Sequence, residues 1–312
     1  MRISTSSFYS KGVNLVTDQQ SRLLRSQESL STGKNVLTPA DDPIKSTNIL
    51  QFSELQNRTD RYMTNANTIK STLTIEESTL AQANLAVQNV KTLAIQARND
   101  SLSADNRDNI LKEMESNFNT LLSLANTKDQ NNDLIFSGLK GGMQNVFTTG
   151  TISTGTYVPG QQNVFPDVTY SGTEGQRTAL IGDNHTVKVG DSGQAVFNTP
   201  SGLNVFGTIN EVATWLKSGQ LSPNFDTAMG KLDQLSAHLT NVRASVGTRL
   251  QDIDNSIDLH TDANIQYEKS ISELQDVDYA KAISDFYQQR SVLDASQRSF
   301  VQAQNLSLFS KL

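Results

Sequence analysis

Apolar residues step by four and three along one stretch of the chain: Tyr62, Ala66, Ile69, Leu73, Glu76, Leu80, Ala83, Val87, Val90, Ala94 and Ala97. Ten of these eleven positions are apolar, and a 3.5-residue spacing held over five heptads keeps one stripe of a helix turned toward a partner helix. At 1.5 Å per residue the rod is roughly 50 Å long. The same stepping returns late in the chain, at Leu232, Leu235, Leu239, Val242, Val246, Arg249 and Ile253, behind a Ser222–Pro223 pair suited to an N-cap and first turn. Two rods of similar pattern, far apart in sequence, predict an antiparallel pair. Its core is expected from Ile69, Leu73, Leu80, Val87 and Val90 on one rod and Leu235, Leu239, Val242, Val246 and Ile253 on the other. A shorter helix should follow the turn DSLSADNR, with Ser103 as N-cap and Leu111, Met114, Phe118, Leu121 and Ala125 facing inward.

The two ends differ. Near the N-terminus the stepping reads Val16, Gln20, Leu23, Gln27, Leu30, and near the C-terminus Tyr279, Ile283, Phe286, Arg290, Leu293, Gln297, Phe300, Gln304. Burying an apolar side chain contributes ~1.5–3 kcal/mol, whereas ordering each residue costs ~1–2 kcal/mol. Three anchors in the N-terminal segment cannot hold it folded alone. Residues 1–45 and 276–312 are therefore expected to be disordered in the monomer and to assemble against other copies through Val16, Leu23, Leu30, Tyr279, Ile283, Phe286, Leu293 and Phe300. The competing reading has both half-seams completing a bundle within one chain. LSTGKNVLTPADDP, with Gly33 ending one helix and Asp42–Pro43 starting the next, reads as a structured joint. DVDYA, residues 276–280, is its C-terminal counterpart.

Thirteen of the 18 glycines lie between Gly138 and Gly207, and no proline occurs from Ile44 to Val158 or from Asn224 onward. The breaker-rich middle alternates apolar and polar residues in TYVPGQQNVFPDVTYSG and HTVKVGDSGQAVF, as short strands do. The expected fold class is mainly α: long antiparallel helical rods, or a coiled coil, made from the N- and C-terminal arms around a small β-rich central insertion. The rod halves are placed at 46–139 and 222–275, and the central region at 140–221 with a short helix near 208–217.

Ser, Thr, Asn and Gln supply 115 of 312 residues, while charged residues reach only 19%, below the usual ~25%. A net charge of −6 spread along the chain offers no basic face for nucleic acid or anionic lipid. The absence of cysteine excludes disulfides, thiolate metal sites and a cysteine nucleophile. No apolar run approaches the ~20 residues that span a bilayer, and the start lacks the apolar core of a secretory signal. A soluble chain without membrane insertion is expected, one that would leave the cell, if at all, by another route. His185, His238 and His260 are scattered, and no phosphate loop, nucleophile elbow or zinc-protease motif occurs. Asp41–Asp42 suits helix-start chemistry better than acid–base work, Asp183–Asn184–His185 reads as a turn, and Asp258, His260 and Asp262 read as a solvated helix face. Neither enzyme nor cofactor is expected. Tyr157, Phe165, Tyr170 and Phe197 fit the core of a small domain at least as well as a ligand platform.

Several segments, in order, resemble the flagellin-like axial proteins of the bacterial flagellum. LSTGKNVLTPADDP is similar to the family's N-terminal joint, LAVQNVKTLAIQARNDSLSADNR to its rod and turn, and NNDLIFSGLKGG to the entry into its central domain. NVRASVGTRLQDIDNSI and ISELQDVDYAKAISDFYQQRSVLDASQRSFVQAQNLSLFSKL are similar to its closing helices. The likeness covers roughly residues 1–140 and 226–312. Within the family MRIST, Pro43, IFSG and LSLFSKL look more like a hook–filament junction subunit than like filament flagellin. The resemblance implies a structural protein that leaves the cell unfolded through the flagellar type III apparatus, without a cleaved signal peptide. It implies ring assembly with itself, with hook-associated protein 1 below, flagellin above, and a flagellar export chaperone beforehand. A filament flagellin, or a secreted helical adhesin with a ligand-binding β domain, are the alternatives.

Overall fold

The structure, a computed structural model, describes residues 5–98, 103–150, 163–218 and 223–309. Among the described residues seven helices dominate: α1 (Thr5–Thr32), α2 (Pro43–Ala97), α3 (Ala104–Ala125), α4 (Gly193–Phe197), α5 (Val205–Ser218), α6 (Pro223–Gln275) and α7 (Tyr279–Phe309). Four short strands, β1 (Phe147–Thr149), β2 (Val168–Tyr170), β3 (Thr178–Gly182) and β4 (His185–Lys188), form two antiparallel hairpin-like pairs, β1–β2 and β3–β4. The chain divides into two compact units, residues 1–59 with 261–312 and residues 60–260, so α2 and α6 contribute to both.

In the unit that holds both ends, α1 and α7 pack antiparallel. Gly33 stops α1 at φ 72°, its N–H donating to the Ser29 carbonyl at 2.9 Å, a left-handed cap that glycine adopts without strain. The two joints lie side by side: Asn35 N–H donates to the Gln275 carbonyl at 2.7 Å and Val277 N–H to the Gly33 carbonyl at 2.9 Å, with a bridge between Lys34 and Asp276. Asp42 caps α2 by accepting from the amides of Ile44 and Lys45, and Asp278 does the same for α7 with Ala280 and Lys281. Asp41 has a different role. It accepts from the Thr38 amide and hydroxyl and from the Leu37 amide, and those bonds, with Arg25 nearby, hold its carboxyl below the usual range.

The second unit is organised on the predicted seam. Ala66, Ile69, Leu73, Leu80, Ala83, Val87, Val90, Ala94 and Ala97 of α2 are buried, as are Leu232, Leu235, Leu239, Val246 and Ile253 of α6, with Val242 packed at the edge. Ser103 caps α3 by accepting from Asn106 N–H at 3.3 Å, and Leu111, Met114, Phe118, Leu121 and Ala125 form its buried face. The expected Ser222 cap, most of the DSLS turn, and Tyr157 lie outside the described residues.

The middle of the chain does not stand apart at 140–221. Phe136, Phe147, Phe165, Phe197 and Phe206 are buried in the same cluster as the helix seam, with Phe118 of α3 packed on Phe165 and Phe206 at ring centroids of 5.2 and 5.5 Å. The two strand pairs are too small to bury a core themselves, so they share one with α3 and the long helices. Two buried-side amides substitute for missing strand partners. Asn126 accepts from the Val146 and Phe147 amides and donates to the Phe147 carbonyl. Asn210 of α5 accepts from the Val164 and Phe165 amides and donates to the Phe165 carbonyl. The central region is thus tied into residues 60–260, and the boundaries fall after Thr59 and His260 rather than at the joints.

Candidate assembly site

The predicted assembly residues separate into two groups. Val16, Leu23 and Leu30 of α1 and Phe286, Leu293 and Phe300 of α7 are half-buried, whereas Tyr279 and Ile283 are 55% and 46% exposed. The half-buried row of α1 runs Gly12, Val16, Gln19, Leu23, Ser26, Leu30, and that of α7 runs Ala282, Phe286, Gln289, Leu293, Ser296, Phe300. The apolar anchors keep their expected places, but the polar partners between them are Gln19, Ser26, Gln289 and Ser296; Gln20, Gln27, Arg290 and Gln297 face outward, and the side chain of Gln304 is outside the described set. Phe300 seats against Gly12, where a β-carbon would collide with its ring, and packs on Tyr9 at 5.4 Å between centroids. The intramolecular alternative therefore describes what six of the eight residues do in one chain.

The outer faces carry residues the periodicity missed. Tyr9, Val13, Leu15 and Leu24 on α1 and Tyr287, Val292 and Val301 on α7 join Tyr279 and Ile283 as exposed large apolar side chains. Nothing in the 4,3 stepping marks them; what could have is their density on helices whose seams are already half polar. Exposed large apolar side chains at this density are the feature from which an assembly role can be argued. A cleft of about 490 Å³ beside it is lined by Arg22, Arg25, Asp41, Asp278, Lys281 and Gln289 among others.

In residues 60–260 the register of the two long helices is fixed by a polar ladder flanking the seam. Lys70, Glu77, Asn84 and Lys91 on α2, and Arg98 immediately after it, recur every seven residues. They meet, in descending order along α6, Asp254, Arg243, the Ser236/Thr240 pair, Asp233 and Asp226. Each exposed pair is worth little alone, but a slip by one turn would unpair all five. Sequence reading overlooked this ladder, although its heptad spacing on α2 is plain.

The single polar seam position of α2 has its own partners. Glu76 is fully buried, and its Oε1 accepts from Asp191 N–H at 3.1 Å while Oε2 has no hydrogen-bond partner. Asp191, in the turn before α4, accepts from Gln176 Nε2 at 2.8 Å and is paired with Arg249, the one charged residue on the seam of α6. Burial, then the neighbouring Asp191 charge, pushes the Glu76 carboxyl up to about 8, against the pull of Arg249. Beyond this cluster, the β3–β4 turn is held to the helices by Tyr62 Oη to Asp183, Asn65 to the Leu180 carbonyl, His185 to Asp252, and Ser256 and His260 to the Ile181 carbonyl. His260 is thus a docking residue stacked beside Tyr62, not part of a solvated face. Among the described residues no group of three or more metal-ligating side chains occurs, and no helix is long and apolar enough to cross a membrane.

Comparison with known proteins agrees along the whole length. Residues 3–140 match the bacterial flagellin N-terminal helical region and residues 229–312 the bacterial flagellin C-terminal helical region. The chain is 31% identical to flagellar hook-associated protein 3 of Escherichia coli K12 and 28% identical to that of Salmonella typhimurium LT2, each over 99% of both chains. Its fold is similar to the flagellar junction protein FlgL of Legionella pneumophila, at TM-score 0.58 and 18% identity, covering 73% of this chain and all of that one.

Proposed function

We propose a function from the premise that this chain belongs to the flagellar hook-associated protein 3 family, with flagellin-type helical regions at both ends, and is a structural protein of the bacterial flagellum at the hook–filament junction. Copies assemble into a ring through α1 and α7, whose exposed outer rows meet the neighbouring copies. The residues that carry this reading are Tyr9, Leu15, Leu24, Tyr279, Ile283 and Tyr287, large apolar side chains that remain 46–67% exposed with α1 and α7 already paired.

The thin seam is the physical reason the ends depend on company. Three apolar anchors on each of α1 and α7, alternating with Gln and Ser, offset little of the ~1–2 kcal/mol that ordering each residue costs. The helices hold their shape when copies stack and lose it in the dilute monomer. Their neighbours are hook-associated protein 1 on one side and flagellin on the other. A flagellar export chaperone covers the C-terminal segment before the chain leaves the cell through the flagellar type III apparatus.

Deleting the gene tests the role: hooks should persist while flagellin is shed into the medium. Loss of hooks, or micrometre-long homopolymers grown from seeds of the purified protein, would replace the junction with another axial role. Hydrogen exchange tests the assembly half, with weak protection of residues 5–30 in the monomer and strong protection after assembly; strong protection in the monomer refutes it.

A further inference from the structure

Among the buried positions of the two long helices the charged ones stand at one level, where Glu76 of α2 is fully buried, Arg249 of α6 occupies a seam position, and the turn carrying Asp191 meets them both. This arrangement is costly and specific. A carboxyl group with no exposed surface normally has an ion-pair partner of its own, yet Arg249 directs one nitrogen to Asp191, its Nη1 has no hydrogen-bond partner, and Glu76 Oε2 is likewise unpartnered. A β-carbon on Gly190 would sit 3.4 Å from that Oε2 and 3.5 Å from the Ile135 carbonyl, ordinary contact distances that place this turn directly against the acid.

We propose that Glu76, Asp191 and Arg249 form a proton-dependent latch that fastens the turn before α4, and with it the central segment, onto the α2–α6 pair. With Glu76 neutral, one guanidinium serves one carboxylate: Asp191 is satisfied by Arg249 and Gln176, and Glu76 accepts from the Asp191 amide. Ionisation puts a second, fully buried carboxylate beside Asp191, whose cation Arg249 is already engaged, and this loosens the turn. The charged groups acting on Glu76 are Asp191 from the central segment and Arg249 from α6. Charged residues elsewhere on the same elements have partners of their own: Glu77 with Arg243, Asp252 with His185, and Arg177 with Asp133.

The direction follows from linkage. The folded state favours the proton on Glu76 and the unfolded chain does not, so the native unit loses stability as pH rises from the unfolded value of 4.5 toward about 8. Within that window the unfolding constant grows by up to about tenfold per pH unit beyond what other groups contribute.

The full chain is unfolded by urea at a series of pH values between 5 and 9, beside Glu76→Gln, which keeps the carbonyl acceptor for Asp191 N–H and cannot ionise. The wild type should lose stability relative to the variant, with the ratio of their unfolding constants rising by more than a hundredfold across the series. Parallel curves overturn the latch. If Glu76→Gln does not fold, the carboxyl carbon resonance of Glu76 in the intact wild type decides: a midpoint at or above pH 7 supports the latch, and one near 4.5 refutes it.

Discussion

Placing an aspartate at Ala83 tests the seam that organises residues 60–260. Ala83 has no exposed surface, and it sits one residue before Asn84, whose side chain meets Ser236 and Thr240 across the helix pair. Ala83→Asp therefore puts a carboxylate between packed apolar side chains with no cation on that face of the ladder, since Lys91 and Arg98 are already paired with Asp233 and Asp226. An uncompensated buried charge costs about 3–5 kcal/mol. For a cooperative unit of this size that lowers the melting temperature by about 6–20 °C. The assay is thermal unfolding followed by circular dichroism at 222 nm, with Leu85→Asp as comparison because Leu85 is 58% exposed and should change stability by less than ~0.5 kcal/mol. Burial also raises the new carboxyl's pKa, so the deficit should be largest above that raised pKa, shrink as pH falls through it toward the unfolded value of ~3.9, and stay constant below. Equal loss in the two variants would mean that α2 does not face α6 through Ala83.

Leu23→Asp or Phe300→Asp should leave the helicity and unfolding of residues 60–260 intact while abolishing assembly; circular dichroism with a motility assay checks both, and a large loss of monomer helicity would contradict the separation. Asn210→Leu strands the Val164 and Phe165 amides and the Phe165 carbonyl, at a cost of about 3–5 kcal/mol in urea unfolding; Asn210→Asp keeps both accepted bonds but buries a carboxylate oxygen against the Phe165 carbonyl, so it should lose more stability at neutral than at acidic pH. A double-mutant cycle on Lys91 and Asp233 should give a coupling of ~0.2–1 kcal/mol that weakens with salt, because both side chains are partly solvated.

The long helices, seam membership and the antiparallel return were legible in the residues because a heptad stripe over five heptads admits few other uses. Leu235, Leu239, Val246 and Ile253 could be placed in the core without coordinates, as could the caps at Ser103 and Asp42, where local hydrogen bonding decides the matter. The anchors of the candidate assembly site, Val16, Leu23, Phe286, Leu293 and Phe300, were legible for the same reason. Which surface they face was not, since a half-apolar seam is satisfied equally by its own chain or by another.

What the sequence determined is thus periodic or local: where the long helices run, where capping residues start α2 and α3, and which stripe excludes water, whereas GQAVF, read as strand-like, forms α4. The tertiary structure decided everything that joins residues far apart. It set Glu76 beside Asp191 and Arg249, used His260 to hold the Ile181 carbonyl, and merged the phenylalanines of the middle with those of α3 into one core. The physical reason is that a repeat is written in neighbouring residues, whereas a buried polar contact depends on which backbone groups the rest of the fold leaves without partners.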